Sequence, residues 1–416
     1  MSTGKSSMEL RVKPLGIIVV AALLALIGVG VAVWSTNQGK NDAAVEYDDT
    51  RKMEGAEILF ISSETKKDWL DKQVERFNAE NIGKVKVTIE YGETRDVFQN
   101  IVTGKSKPTL WAPSSTAWVG RLGDYWQKEK GTAIIDTSDP ATYRLYLKTP
   151  MVFLTTQDRA TFLRPLLSEN NKTWDNIRAL SVGQIKPSYG EFKYSYADPL
   201  NAGSGFMTLS MIITAYGQSQ PSAANLSAEQ IVKLPGFKQF VKDLNTRFVY
   251  DEAAFKGSSA LSKSFSADPK KYDLICTYES NALKAALKDP KLAVIYPNPT
   301  ANVDMSIVLL SKADYLKPEQ IAAGKVFMKF LAEKDAMQAG VETMFRTSAV
   351  TPGVSLDTEL SKVAKQGFQT GVQSAELPPY DSVNSAAAIW REVTKTPAPV
   401  QALMTEKAKE ESVKAK

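Results

Sequence analysis

Four short turns carry the residues best suited to chemistry. They share one grammar: an apolar run, then Ser, Thr or Asn, then the start of a helix. They are Ser62-Ser63, Ser114-Ser115-Thr116, Asn201-Ala202-Gly203-Ser204 and Glu279-Ser280-Asn281. A helix N-terminus leaves amide N–H groups unpaired and carries partial positive charge. Ser and Asn there either cap the helix or help hold an anionic or polar ligand. Any one turn is explained by capping. Four of them in one α/β body imply that some face a common cleft, because such turns lie at the carboxyl ends of strands, where ligands bind. Glu279 has two readings. It is either a first-turn acid favoured by the helix dipole or, if it faces the cleft, a group that selects an amine, a cation or hydroxyls. Gly203 and Gly205 permit tight backbone. Their spacing does not make a dinucleotide fingerprint, and no phosphate-binding P-loop pattern is present.

Other chemistries are closed off. The 416 residues include no histidine, which removes Ser-His-Asp and Cys-His nucleophiles and His-based metal or acid–base work. Cys276 is the one cysteine, so neither an intrachain disulfide nor a cysteine zinc cluster can form. It sits in an apolar run and reads as a small buried hydrophobe. Trp111, Trp118, Trp126 and Tyr278 could stack on a ligand, although aromatics of this kind more often pack a core. No cofactor is implied. Lys and Arg number 51 against 46 acids, a balance with no basic block, so nucleic acid is not an expected partner.

The elements that position these turns alternate. Strand-like runs at 57–61, 85–91, 108–111, 150–155, 194–197, 272–276, 292–296 and 305–310 are interleaved with helical patterns. The helices are expected near 66–79, 94–103, 117–128, 206–216 (stopped by Gly217), 282–288, 318–332 and 334–344. This alternation predicts an α/β body of parallel sheets with helices on both faces. A composition of 43% hydrophobic and 23% charged residues is that of a globular chain.

Residues 15–34 (LGIIVVAALLALIGVGVAVW) are uncharged for about 30 Å of helix, enough to span a bilayer. Lys5, Arg11 and Lys13 precede them, so residues 1–14 are expected in the cytoplasm and the rest outside. The run is longer than a usual signal-peptide core and lacks a clear cleavage site, which favours an uncleaved anchor over a signal peptide. Residues 35–54 read as a spacer, and 406–416 as a charged tail.

The assembled segments resemble bacterial extracellular solute-binding proteins of the type 2 periplasmic-binding-protein fold. The pieces that carry the resemblance are EILFISSETKKDWLDKQVERFNA, KPTLWAPSSTAW, YADPLNAGSGFMTL, YDLICTYESNAL, AVIYPNPTANVDMSIVLL and KFLAEKDAMQAGVETMFRTSAV. The resemblance implies two α/β lobes joined by crossovers at 150–155 and 297–308, with hinge closure on a ligand. Lobe one would be 55–156 plus 299–416, and lobe two 157–298. Ser62, Ser63, Ser114 and Ser115 from lobe one would meet Asn201, Ser204, Tyr278 and Glu279 from lobe two around a small polar solute. Implied partners are a transporter permease or a signalling membrane protein. Two other readings stay open: a ligand-free ectodomain of the same fold that binds proteins, and an enzyme using carboxylates, which the missing nucleophile motif disfavours.

Overall fold

A computed structural model describes residues 53–394. The expected membrane anchor at 15–34 and the tail at 406–416 lie outside them. Among the described residues no helix is long and apolar enough to cross a membrane.

Nine strands are ordered β1 (Ala56–Ser62), β2 (Val85–Tyr91), β3 (Leu110–Ala112), β4 (Tyr143–Thr156), β5 (Tyr194–Tyr196), β6 (Leu274–Tyr278), β7 (Leu292–Ile295), β8 (Asn302–Leu309) and β9 (Arg346–Thr347). Lobe one is built on the order β2-β1-β3-β8-β4. There β1 runs parallel to β2 and β3, in the register Ile58↔Val87 and Phe60↔Leu110. In lobe two β5 and β6 are parallel, with Tyr196 opposite Cys276.

The sheets are mixed, which corrects the expectation of parallel sheets throughout. The strands that link the lobes run antiparallel to their neighbours. β4 is fourteen residues long and changes partners partway. Its first part, from Tyr143 to Pro150, pairs with β8, and Met151 to Thr156 pair with β6 and β7. Proline brings no N–H to a ladder, and Pro150 sits where β4 leaves one sheet for the other. The return passes through the cis Asn298–Pro299 bond into β8.

The pleat explains how one strand serves two layers. Successive side chains point to opposite faces. Met151 and Phe153 therefore enter a core shared with Trp174 and Tyr278, while Val152 and Leu154 pack with Leu261, Phe265 and Leu283. In β1, Phe60 faces the first of these cores and Ile61 a third one with Phe98, Trp111 and Trp118.

Several helices extend past their expected limits. Gly203–Ser219 begins three residues earlier than periodicity suggested and runs through Gly217, where the missing side chain lets Ile231 approach; a Cβ there would lie 2.8 Å from Ile231 Cδ1. Glu279–Lys288 starts directly at Glu279. The helices Gln157–Leu167, Thr173–Ser181, Pro235–Leu244 and Ser258–Ala267 occupy stretches with no expected element. The division by sequence placed everything after 299 in lobe one. The helix Tyr380–Thr394 packs instead on lobe-two helices, with Trp390 buried against Tyr196, Phe248 and Tyr250.

Candidate functional site

All four turns lie at carboxyl ends of strands. β1 and β3 are neighbours, so their turns sit side by side, and the Ser63 N–H donates to Ala112 O at 3.0 Å. Thr94 ties the second turn down. Its Oγ1 accepts from Ser114 N and donates to Ser114 Oγ, both at 3.0 Å. In lobe two the turn after β5 opens the helix Gly203–Ser219. The turn after β6 opens Glu279–Lys288, with Ser280 N donating to Thr149 Oγ1 at 3.0 Å.

The lobes are closed on one another at these turns. Tyr278 Oη of lobe two donates to Ser114 O of lobe one at 3.5 Å. Gly203 sits so near that a Cβ on it would lie 1.9 Å from Ser114 Oγ and 3.1 Å from Tyr278 Oη. Only glycine allows that approach. Gly205 answers a different constraint, since its Cβ would lie 2.0 Å from Ala197 O of its own turn. Further contacts cross between lobes. Arg95 donates to Leu200 O at 2.9 Å and to Asn201 Oδ1 at 3.4 Å, and Lys284 pairs with Asp68 at 2.7 Å. The Tyr380 ring stacks on Phe206 and meets the edge of Trp118, with the Arg121 guanidinium over it.

Capping does not account for the serines. Ser63 and Ser115 occupy N-cap positions, yet neither side chain accepts a backbone N–H of its helix. Ser115, Ser204 and Ser280 all have buried hydroxyls with no hydrogen-bond partner among the described residues. Buried polar groups are nearly always satisfied, and these three hydroxyls, each at a helix start, stand among several buried side-chain atoms without a partner among the described residues.

Lys66, absent from the expected site, is buried beside the first two turns, against Ser63 and Pro113. It is 1% exposed. Its Nζ donates to Ser63 Oγ at 2.7 Å and Pro113 O at 2.9 Å, and its remaining neighbour is the weak acceptor Met305 Sδ at 3.9 Å. Among the described residues no carboxylate pairs with it, and burial pushes the amine down from 10.5 to about 7. The sequence does hold a signal for it. Positions 66, 69, 70, 73, 74 and 77 form one helical face, and the other five are buried there: Trp69, Leu70, Gln73, Val74 and Phe77.

Glu279 behaves differently from the other expected site residues. Its carboxylate is fully buried and engaged away from the serines. Arg346 Nε donates to Oε2 at 2.8 Å and Nη2 to Oε1 at 2.6 Å, while Tyr296 Oη donates to Oε1. Asn201 is half-buried and faces Arg95. Ser62, Ser63, Ser114, Ser115, Ser204 and Tyr278 are all buried in the joined region. Trp111 and Trp118 are core residues, and Cys276 is sealed in β6, its thiol pushed up to about 12 by burial.

A groove of about 380 Å³ lies between the lobes, and none of the expected site residues lines it. Thr65, Lys67 and Asp68 line one side, and Lys263, Lys284 and Lys288 the other. At the edge near Gly257 stands Glu93, which burial raises to about 7, with Glu64 and Asp96 adding to the effect. Among the described residues no group of acidic or cysteine side chains has the arrangement of a metal site.

No curated protein sequence matches the chain. Solved structures of the same fold include the sulfate-binding protein SubI from Mycobacterium tuberculosis H37Rv, at 16% identity and TM-score 0.52, covering 77% of this chain and 94% of that one. The substrate binding protein of the ABC transporter from Agrobacterium tumefaciens is 16% identical at TM-score 0.55, covering 84% and 96%. The periplasmic binding protein AfuA from Actinobacillus pleuropneumoniae, with exogenous fructose-6-phosphate bound, is 11% identical at TM-score 0.54, covering 82% and 100%. A family model described as bacterial extracellular solute-binding protein matches residues 58–343. Most of the chain, and all four turns, fall within that match, so this protein belongs to the bacterial extracellular solute-binding family.

Proposed function

We propose that this chain is an extracytoplasmic solute-binding protein, anchored to the membrane by residues 15–34, that captures a small oxyanion between its lobes. Capture would serve delivery to a transporter permease or sensing by a signalling partner. The observation that carries the reading is Lys66. A buried cation is normally paired, because an unpaired one loses its hydration without recompense. Lys66 has only neutral acceptors, so an anion in the cleft would supply the missing counter-charge. The orphan hydroxyls of Ser115, Ser204 and Ser280 can donate to its oxygens, and the helix starts beside them favour negative charge. Ser62, Ser63, Ser114 and Tyr278 complete the wall. Asn201 acts at the lobe contact through Arg95. Sulfate and sugar phosphate appear among the ligands of proteins with this fold, which suits an oxyanion without selecting one.

Native mass spectrometry of the gently purified full-length chain, followed by calorimetry with sulfate, phosphate and neutral sugars, tests this. Binding of an oxyanion, weakening above about pH 7 as Lys66 loses its proton, is the expected result. Binding of a neutral sugar alone overturns the reading. The direct Tyr278–Ser114 contact favours one alternative, a ligand-free ectodomain of the same fold that contacts protein partners. Absence of any bound solute, with no compaction on adding one, would support it.

A further inference from the structure

The helix Glu279–Lys288 opens on lobe two beside Tyr278, which touches Ser114 across the cleft. It carries two adjacent residues of opposite use. Ser280 has a buried, unpartnered hydroxyl, while Glu279 brings a negative charge to the same helix start. An uncompensated carboxylate there would occupy the helix dipole and repel an anion. The structure removes that charge from play. Arg346, in β9 beside β4, reaches Glu279 with a two-pronged bridge, and Tyr296 donates a third bond. Arg346 is itself held by Gln369 O and Thr370 O, so the guanidinium is fixed from both sides. It lies three residues beyond the stretch that matches the family.

We infer that Arg346 is a specificity-setting positioning residue: by neutralising Glu279 and holding it away from the cleft, it makes the lobe-two helix start hospitable to an anion. This rests on the oxyanion reading above. Arg346 need not touch the solute. Its role is to remove one negative charge from this helix start; Glu93, beside Gly257, remains a second acid near the lobe contact and is unchanged in every variant below.

The experiment is sulfate calorimetry on the full-length chain, with thermal melts of every variant to confirm folding. Arg346→Gln leaves Glu279 buried with Tyr296 as its remaining partner and no counter-charge, and sulfate affinity, read at a pH high enough to keep the carboxyl ionised, should fall about tenfold or more. Adding Glu279→Gln to give the doubly neutral pair should restore affinity to within about threefold of wild type. Arg346→Lys should recover part of it, because one ammonium cannot reproduce the two-pronged bridge. If Arg346 only braces the fold, Arg346→Gln will melt earlier and bind sulfate as wild type does, which overturns the inference. Should Arg346→Gln fail to fold, the doubly neutral variant and Arg346→Lys decide. Loss of affinity in the doubly neutral variant equal to or exceeding that of Arg346→Lys also overturns it. A wild-type chain that binds no oxyanion removes the reading beneath, a result distinct from wild-type binding that Arg346 variants leave untouched.

Discussion

Replacing Lys66 with Met should improve stability and destroy anion binding at the same time. In the solute-free protein the amine is driven from 10.5 to about 7 by burial, with no acid to compensate. At about 1.4 kcal/mol per pH unit, keeping it charged inside costs about 5 kcal/mol near pH 6. The sign follows from which state holds the proton. Between pH 7 and 10.5 the unfolded chain keeps a proton that the folded chain gives up, so stability rises with pH across that window and the penalty is complete below it. By pH 9 it has shrunk to about 2 kcal/mol. Methionine keeps the length of the side chain but leaves Ser63 Oγ and Pro113 O without their donor, a loss of about 1–3 kcal/mol. Lys66→Met should therefore be roughly 2–4 kcal/mol more stable than wild type at pH 6 and close to neutral at pH 9. Urea denaturation at the two pH values reads this directly. Sulfate affinity should drop at least about thirtyfold, since truncating one partner of a buried charge contact costs about 2 kcal/mol or more. In wild type the same affinity should be flat below about pH 7 and weaken above it, because binding must then take up a proton. A Lys66→Met protein that binds sulfate normally, or that is destabilised more at pH 6 than at pH 9, would refute this account of the buried amine.

Gly203→Ala places a methyl within 1.9 Å of Ser114 Oγ. It should wedge the lobes apart, enlarge the radius of gyration in small-angle scattering and weaken solute binding, while Gly203→Ala with Ser114→Gly should close again. Ser115→Ala, Ser204→Ala and Ser280→Ala each delete a hydroxyl that has no hydrogen-bond partner among the described residues. Their melting points should hold or rise, and sulfate affinity should fall about tenfold for each bond lost; a drop in melting point with affinity intact would show that they are caps after all. Protease added to spheroplasts should digest the body and leave a small N-terminal fragment in the membrane, and a soluble mature protein beginning after about residue 35 would exclude the anchor.

Local features of the chain reveal eight of the nine described strands and the polar turns, but not β9 nor the first half of β4, which begins at Tyr143, seven residues before the expected run. The alternation in VKVTIEY yields β2, Val85–Tyr91, to the residue, because a pleated strand with one buried face writes its period into the sequence. The serine turns are equally local, since a strand end followed by a helix start confines Ser62-Ser63, Ser114-Ser115 and Ser204 to the carboxyl edge of the strands. Even Lys66 is written into the helical face that buries Trp69 and Phe77. What the chain could not disclose is who meets whom. Gly203 lies 89 positions from Ser114, and only the partner switch in β4 brings their lobes together. Glu279 reads in the chain as a first-turn acid or a cleft group because it stands between a strand end and a helix start; Arg346, 67 residues later, pairs with it. The helix Tyr380–Thr394 likewise finds its place through Trp390 and a cluster of lobe-two aromatics, not through proximity in sequence. Propensity and period act over a few residues. The charge state of a cleft is set by desolvation and by long-range pairing, and those exist only once the two lobes have packed.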